Sequence, residues 1–176
     1  MRVFVTVGTT EFDELIRALD ARAGAVSAAL SSLGCSQLVV QMGRGTVVPE
    51  QLVSECNMRG IEARHYRFKD TLAEDIASAD LVVSHCGAGS VLEVLEQHKL
   101  LLIVVNPSLQ GNHQSELAEA MLAGKHCLSC SPGGVVGELE RLVAHGGAAA
   151  VQAALLPYPE PDLEAFPHLV DSLFRW

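Results

Sequence analysis

The stretch from Leu81 to Glu93 constrains the fold of this chain more than any other part of the sequence. Three apolar residues open it, a polar turn containing Gly87 and Gly89 follows, and a helical pattern then begins at Val91. A strand, a tight turn and a helix in direct succession form the basic unit of a parallel α/β sheet. The first N–H groups of a helix have no partner within the helix, and the helix dipole adds positive charge there, so this turn is suited to an anion.

The same strand–glycine–helix arrangement recurs along the chain. Arg2 to Val7 alternates like a strand, Gly8 follows it, and a helix is expected from Glu11, with Thr10 and Asp13 resembling a capping box. Further strands are predicted over 36–41, 61–68, from 81, over 101–105 and over 126–129, with helical patterns between them. The segment over 61–68 is more polar, which favours a place near a sheet edge. The alternation predicts a doubly wound, mainly parallel, Rossmann-like α/β sheet of about six strands, with ligands at the strand carboxyl ends.

The length of the chain and the position of a proline-rich segment predict one main domain. Residues 1–156 form a single core of ordinary size, and a stiff proline-rich linker begins at Pro157. The apolar residues from Leu163 to Trp176 predict an amphipathic terminal helix, interrupted early by Pro167. We expect this helix to pack either on its own domain or on a partner, and the sequence leaves the two alternatives open.

Composition excludes several classes of function. The 176-residue chain is 49% hydrophobic and 19% charged, with a net charge of −9 and no basic cluster, which argues against nucleic acid and against anionic lipid. No apolar run approaches the roughly 20 residues that span a bilayer, and the sequence enters a strand directly after Met1, so neither a membrane span nor a signal peptide is expected. Five cysteines are then expected to be reduced thiols in the cytoplasm.

Three known sequence motifs of binding and catalytic sites are excluded, because the residues they require are missing or wrongly spaced. The first turn has Gly8 alone where the dinucleotide fingerprint needs three glycines, and no acidic residue ends strand two, so NAD is not expected. Gly124-Lys125 lacks the earlier glycine of a phosphate-binding Walker loop. Ser90 follows both glycines of its turn and does not stand between them, which excludes a nucleophile elbow.

The cysteines give only a weak indication of chemistry. Cys127 and Cys130, with His126, have the spacing of a metal or redox pair, but no second ligand pair is present. A metal is therefore not expected, and two core thiols are the favoured interpretation. Cys86 lacks an identifiable activating partner, so we expect it to be a small buried residue.

The polar residues around the central turn favour a bound ligand. Gly87 and Gly89 allow close approach of the backbone, Ser90 offers a hydroxyl, and His85 offers a hydrogen bond at the strand end. Glu93, one turn into the helix, is better placed for sugar hydroxyls than for phosphate.

Two neighbouring segments are expected at the same crevice. Asn112-His113-Gln114 opens a helix after the next strand, either as a ligand-reading cluster or as a plain asparagine cap. Phe68 and Lys69 end the third strand, where the phenylalanine either contacts a base or packs as a satellite of the core.

The joint pattern of four segments resembles one enzyme family. The segments are Phe4 to Asp13, Gln41 to Thr46, Ser84 to Ser90 and Asn112 to Gln114. Together they are similar to the catalytic subunit of the two-subunit UDP-N-acetylglucosamine (UDP-GlcNAc) transferase of dolichol-linked oligosaccharide synthesis. More distantly, the chain resembles the C-terminal, donor-binding half of the bacterial lipid-linked GlcNAc transferase, a GT-B enzyme.

The resemblance implies a set of site residues. The glycine-rich turn after strand four would hold the diphosphate with help from the first turn, Glu93 would accept from the ribose, Phe68 and Lys69 would flank the uracil, and the segment 112–114 would hold the GlcNAc or the distal phosphate. The implied catalytic residues are His85 and His113. The implied substrate-binding residues are Gly8, Thr9, Thr10, Phe68, Lys69, Gly87, Ala88, Gly89, Ser90, Glu93, Asn112 and Gln114.

The resemblance also implies a reaction and a partner. The 4-hydroxyl of GlcNAc-diphosphodolichol would attack the anomeric carbon of UDP-GlcNAc with inversion, without a cofactor or metal ion. The sequence offers no convincing general base, so we expect the base and the acceptor groove on a membrane-anchored partner subunit that recruits the chain to the cytosolic face of the endoplasmic reticulum. The alternatives are a catalytically silent nucleotide-sugar-binding or scaffold subunit and, more weakly, a cysteine or metal hydrolase.

Overall fold

The protein is an α/β fold with one six-stranded, entirely parallel sheet. The computed structural model describes residues 1–106 and 113–159, with the backbone alone over 113–115. The strands are β1 (Arg2–Thr6), β2 (Gln37–Gln41), β3 (Glu62–Tyr66), β4 (Leu81–His85), β5 (Leu100–Val104) and β6 (Leu128–Cys130). The helices are α1 (Asp13–Ala21), α2 (Ala23–Ser32), α3 (Glu50–Met58), α4 (Ala73–Ser78), α5 (Ala88–Glu96), α6 (His113–Ala123), α7 (Val135–Ala144) and α8 (Ala148–Ala154).

The strand order is β3-β2-β1-β4-β5-β6. The predicted doubly wound, parallel sheet is therefore confirmed, and the polar third strand does lie at an edge. The order reverses between β1 and β4, where Val3 to Thr6 pair with Leu81 to Ser84. A crevice forms at such a reversal because the helices that follow the two strands pack on opposite faces of the sheet.

The sheet is buried on both faces because its central strands are mainly apolar, and the buried polar residues Thr6, Ser84 and His85 lie at the carboxyl ends of β1 and β4. On β1, Val3 and Val5 pack into one cluster with α1, α2, α3 and α7, and Phe4 packs into the other with α4, α5 and α6. β4 and β5 are buried along their whole length. This rigid centre fixes the carboxyl ends of β1 and β4 relative to each other.

One local expectation is wrong. The capping box does not form, because the Thr10 hydroxyl donates to the Val7 carbonyl at 2.8 Å and α1 begins after Phe12 without a side-chain cap. The helical region that follows the first turn is divided at Arg22, whose backbone (φ −117°, ψ 30°) separates α1 from α2. The predicted terminal helix at 163–176 lies outside the described residues.

Candidate functional site

A cavity of about 290 Å³ opens at the strand reversal, against the carboxyl ends of β1 and β4. Nine of the residues predicted from the sequence line it: Gly8, Thr9, Phe68, Lys69, His85, Gly87, Ala88, Gly89 and Ser90. Gln41 and Leu72 complete the lining. A larger cleft of about 620 Å³ beside α2 and α3 contains none of the predicted residues. These nine residues therefore converge although they come from three separate segments of the chain.

His85 ends β4 and is 5% exposed. Burial lowers the pKa of the imidazole, and the Thr6 backbone offsets part of that effect. The ring is therefore neutral at pH 7. Its Nδ1 atom is buried and makes no hydrogen bond of good geometry with any described residue. Because Nδ1 is buried, a hydrogen bond from the ring to a ligand in the cavity would use the other ring nitrogen, Nε2.

Two glycines make room for this ring. A Cβ added to Gly8, whose φ is +62°, would stand 2.6 Å from Cε1 of His85, and one added to Gly87 would stand 2.3 Å from Nε2. At Gly89, by contrast, a Cβ would meet nothing within 4 Å. The sequence interpretation assigned Gly87 and Gly89 to close approach of a ligand. In the structure, the absence of a side chain at Gly87 makes room for the His85 ring. Of these two glycines, Gly89 alone faces open space.

The start of α5 presents unpaired donors to the cavity. The helix begins at Ala88 after the extended Gly87, and no side chain caps it. Across residues 1–106 and 113–159, no acceptor takes the N–H groups of Ala88, Gly89 or Ser90, whereas the Val91 N–H donates to the Gly87 carbonyl. Three free N–H groups and the Ser90 hydroxyl at a helix N-terminus suit a diphosphate.

Sequence reasoning missed Gln41, which is 1% exposed. Its Oε1 accepts from the Thr6 hydroxyl at 2.6 Å and from the Gly8 N–H at 2.9 Å. Its Nε2 donates to the Gly8 and Arg67 carbonyls, each at 2.7 Å. The amide thus ties the turn after β1 to the end of β3 and fixes the cavity floor. A glutamine directly after three apolar strand residues was the available signal.

Two predicted residues lie near the cavity without lining it. The Thr10 hydroxyl is engaged by its own turn, as described above, so its side chain is not free for a diphosphate. Glu93 is partly buried on α5, one turn beyond Gly89. Asn112 lies outside the described residues, as do the side chains of His113 and Gln114, whose backbone begins α6.

At the far side of the cavity, Phe68 is half exposed and Lys69 is fixed by neighbours. The Lys69 Nζ lies 2.6 Å from Oδ2 of the buried Asp75 and 4.6 Å from the centroid of the Tyr66 ring. The Tyr66 hydroxyl also donates to Asp75. Burial, followed by the hydrogen bond to Asp75, raises the pKa of the Tyr66 hydroxyl well above its usual value.

The cysteines do not form a reactive centre. Burial raises the pKa values of Cys127 and Cys130 to about 12, which opposes thiolate formation. His126 contacts the Leu156 carbonyl at 3.0 Å and packs edge-on against Tyr158.

In the part of the chain that the structure describes, no cluster of three His, Cys, Asp or Glu side chains could hold a metal ion. Among the same residues, no helix has the length and apolar character needed to cross a bilayer.

Comparison with known proteins identifies the family. The model of the glycosyltransferase family 28 C-terminal domain matches residues 2–155. The chain belongs to this family. UDP-N-acetylglucosamine transferase subunit ALG13 of Yarrowia lipolytica is 35% identical over 147 residues, which cover 82% of this chain and 72% of that protein. The resemblance of the sequence to a subunit of the UDP-GlcNAc transferase is thus confirmed.

Longer relatives share only this domain. The human UDP-N-acetylglucosamine transferase subunit ALG13 is 48% identical over 129 residues, which cover 73% of this chain but 11% of the human protein. The chain therefore corresponds to a small part of that relative.

Solved structures agree with the family 28 fold. The solution structure of ALG13 superposes with a TM-score of 0.64 at 25% identity, covering 96% of this chain and 94% of that one. MurG of Acinetobacter baumannii, with a TM-score of 0.57 at 19% identity, shares the fold over 97% of this chain and 48% of its own.

Proposed function

We propose that this chain is the donor-binding, catalytic subunit of a UDP-GlcNAc-dependent N-acetylglucosaminyltransferase. It adds the second, β1,4-linked GlcNAc to GlcNAc-diphosphodolichol together with a membrane-anchored partner. One observation supports the proposal above all others. The free N–H groups at the start of α5 lie in the same cavity as His85 and Ser90, at the strand reversal. The relatives' name, UDP-N-acetylglucosamine transferase subunit, supports UDP-GlcNAc as the donor and supports the presence of at least one further subunit.

The chemistry of the proposed step requires stabilisation of a leaving nucleotide. The acceptor hydroxyl forms a bond to the anomeric carbon as the bond from that carbon to the UDP oxygen breaks, and the electron pair leaves with UDP. Negative charge therefore grows on the diphosphate. Fixed N–H groups at Ala88, Gly89 and Ser90 stabilise this charge without reorganising, and the neutral imidazole of His85 adds a hydrogen bond.

The other proposed contacts follow from position around the cavity. Thr9 extends the diphosphate contacts, while Phe68 and Lys69 flank the uracil. Glu93 accepts from the ribose hydroxyls, and Asn112, His113 and Gln114 contact the sugar. The general base that takes the acceptor proton comes from the partner, which also carries the acceptor groove and brings the chain to the cytosolic face of the endoplasmic reticulum.

A transfer assay with matched glutamate variants tests the proposal. Glu93→Ala removes the proposed ribose acceptor, whereas Glu96→Ala removes an exposed carboxylate from the same helix. Because a hydrogen bond to a charged group contributes about 1.5–3 kcal/mol, we expect Glu93→Ala to reduce transfer by the complex about tenfold or more. Glu96→Ala should transfer at the wild-type rate, and both variants should keep the wild-type melting temperature.

The same assay separates the enzyme from a silent scaffold subunit. A scaffold would leave transfer by the complex unchanged in Glu93→Ala. If UDP and UDP-GlcNAc both fail to bind in calorimetry even with the partner present, the donor-binding proposal fails.

A further inference from the structure

Tyr66, Lys69 and Asp75 form a closed cluster at one end of the cavity. The Tyr66 hydroxyl and the Lys69 ammonium donate to the same carboxylate oxygen, Oδ2 of Asp75. The ammonium also lies 4.6 Å from the Tyr66 ring centroid, within the range of a cation–π contact. Three interactions thus join the end of β3, the following loop and α4.

The burial of the three members is unequal. Asp75 is 7% exposed, whereas the Lys69 side chain is 38% exposed. A buried carboxylate that loses its partner is strongly unfavourable, so Asp75 keeps the ammonium in place. Because the Lys69 side chain is more than a third exposed, the ion pair itself adds little net stability, and its main consequence is that the ammonium is held in one position.

The position of Lys69 gives the cluster a connection to the ligand. Lys69 lines the cavity beside Phe68 and Leu72, whereas neither Asp75 nor Tyr66 lines it. An ammonium has three donors and no acceptor, and Asp75 accepts from Nζ. The remaining donors are available to an oxygen acceptor in the cavity.

We propose that Asp75 and Tyr66 are positioning residues that fix the Lys69 ammonium on the cavity wall, where it donates to an oxygen of a bound uridine nucleotide. This inference rests on the proposed function and deepens it. The acceptor is either the C4 carbonyl of the base or an oxygen of the diphosphate. A donor-only group distinguishes uracil, which presents a carbonyl where cytosine presents an amino group.

Nucleotide binding by the full chain tests the inference. Lys69→Met should weaken UDP binding about tenfold, because it removes a charge-assisted hydrogen bond. Asp75→Asn and Tyr66→Phe should each reproduce part of that loss, and Tyr66→Phe keeps the ring and tests the hydroxyl alone. Asp70→Asn, which removes an exposed carboxylate from the same loop, should bind UDP like the wild type.

The double variant distinguishes positioning from a merely structural role. If Asp75 acts through Lys69, Asp75→Asn combined with Lys69→Met should bind UDP no more weakly than Lys69→Met alone. Losses that add, or an Asp75→Asn protein with wild-type affinity, would overturn the inference. CDP distinguishes the two acceptors. If Lys69 donates to the C4 carbonyl, Lys69→Met should weaken UDP binding more than CDP binding. If Lys69 donates to a phosphate oxygen, Lys69→Met should weaken the binding of both nucleotides equally.

A second measurement needs no nucleotide and keeps the inference separate from the proposed function. Amine labelling followed by mass spectrometry reports how freely the Lys69 ammonium reacts. Asp75→Asn and Tyr66→Phe should each raise labelling at Lys69 several-fold, while the exposed Lys125 stays unchanged as an internal reference. If the wild type does not bind UDP, the proposed function fails; if Lys69 labelling is unchanged in both variants, the positioning inference fails.

Discussion

At the scale of single residues, Gly87 and Gly89 have opposite surroundings although one residue separates them. A Cβ at Gly87 would press on the His85 ring, whereas a Cβ at Gly89 would enter open space. We expect Gly87→Ala to destabilise the protein by about 1–3 kcal/mol, because the buried imidazole must move. Gly89→Ala, in the first turn of α5, should leave stability equal or raise it by about 0.5–1 kcal/mol. Urea unfolding measures both, and equal effects would contradict the described geometry.

His85 also predicts a dependence of stability on pH. Burial lowers its pKa in the folded protein, so the unfolded chain binds the proton more readily. The free energy of unfolding should therefore fall as the pH drops below about 6.5, the pKa of the unfolded side chain, until the folded pKa is reached. His85→Gln lacks this group, so its stability should vary less between pH 7.5 and 5.5. Parallel urea unfolding curves would show whether the two proteins diverge.

At the scale of elements, one carboxylate fixes the loop between β2 and α3. Asp13, the first residue of α1, accepts the Thr46 hydroxyl at 2.6 Å and the Thr46 and Val47 N–H groups. Although burial acts to raise it, these hydrogen bonds lower the pKa of Asp13 below its usual value. The loop in turn packs on the first turn, since the Arg44 N–H donates to the Thr10 carbonyl. Asp13 therefore supports the cavity indirectly.

The matched pair Asp13→Ala and Glu14→Ala tests this anchor. Both remove an acidic residue from the first turn of α1, so both lose the same favourable interaction with the helix dipole. Glu14 is exposed, and its loss should change the free energy of unfolding by about 0.5 kcal/mol or less. Asp13→Ala should cost about 1–3 kcal/mol, because it leaves donors of the loop unsatisfied. Equal losses would show that the loop does not depend on Asp13.

These elements also show what the sequence could predict. The strands and their parallel direction follow from apolar segments that alternate with helical patterns. The positions of Gly8, His85 and Ser90 at the carboxyl ends of the strands follow from that topology. The role of Asp13 could not be predicted, because its partners lie 33 and 34 residues away. Gln41 was missed for the same reason, since its hydrogen bonds join the ends of three strands.

At the scale of the whole molecule, the cavity and the stability of the fold are linked through the start of α5. A ligand that binds only the folded state stabilises it by mass action, by about 2.7 kcal/mol at a hundredfold excess over its dissociation constant. For a chain of this size, UDP at that concentration should raise the melting temperature by roughly 5–10 °C. Free GlcNAc, which lacks the diphosphate, should have no comparable effect.

Gly89→Asp tests whether the free N–H groups at the start of α5 are the anion site. The open space at Gly89 admits the side chain, and a carboxylate in the first turn of a helix is favourable for stability. The same negative charge repels a diphosphate. We therefore expect Gly89→Asp to melt at or above the wild-type temperature while losing the stabilisation by UDP, which Gly89→Ala retains at least in part. A Gly89→Asp protein that UDP still stabilises like the wild type would place the diphosphate elsewhere on the molecule.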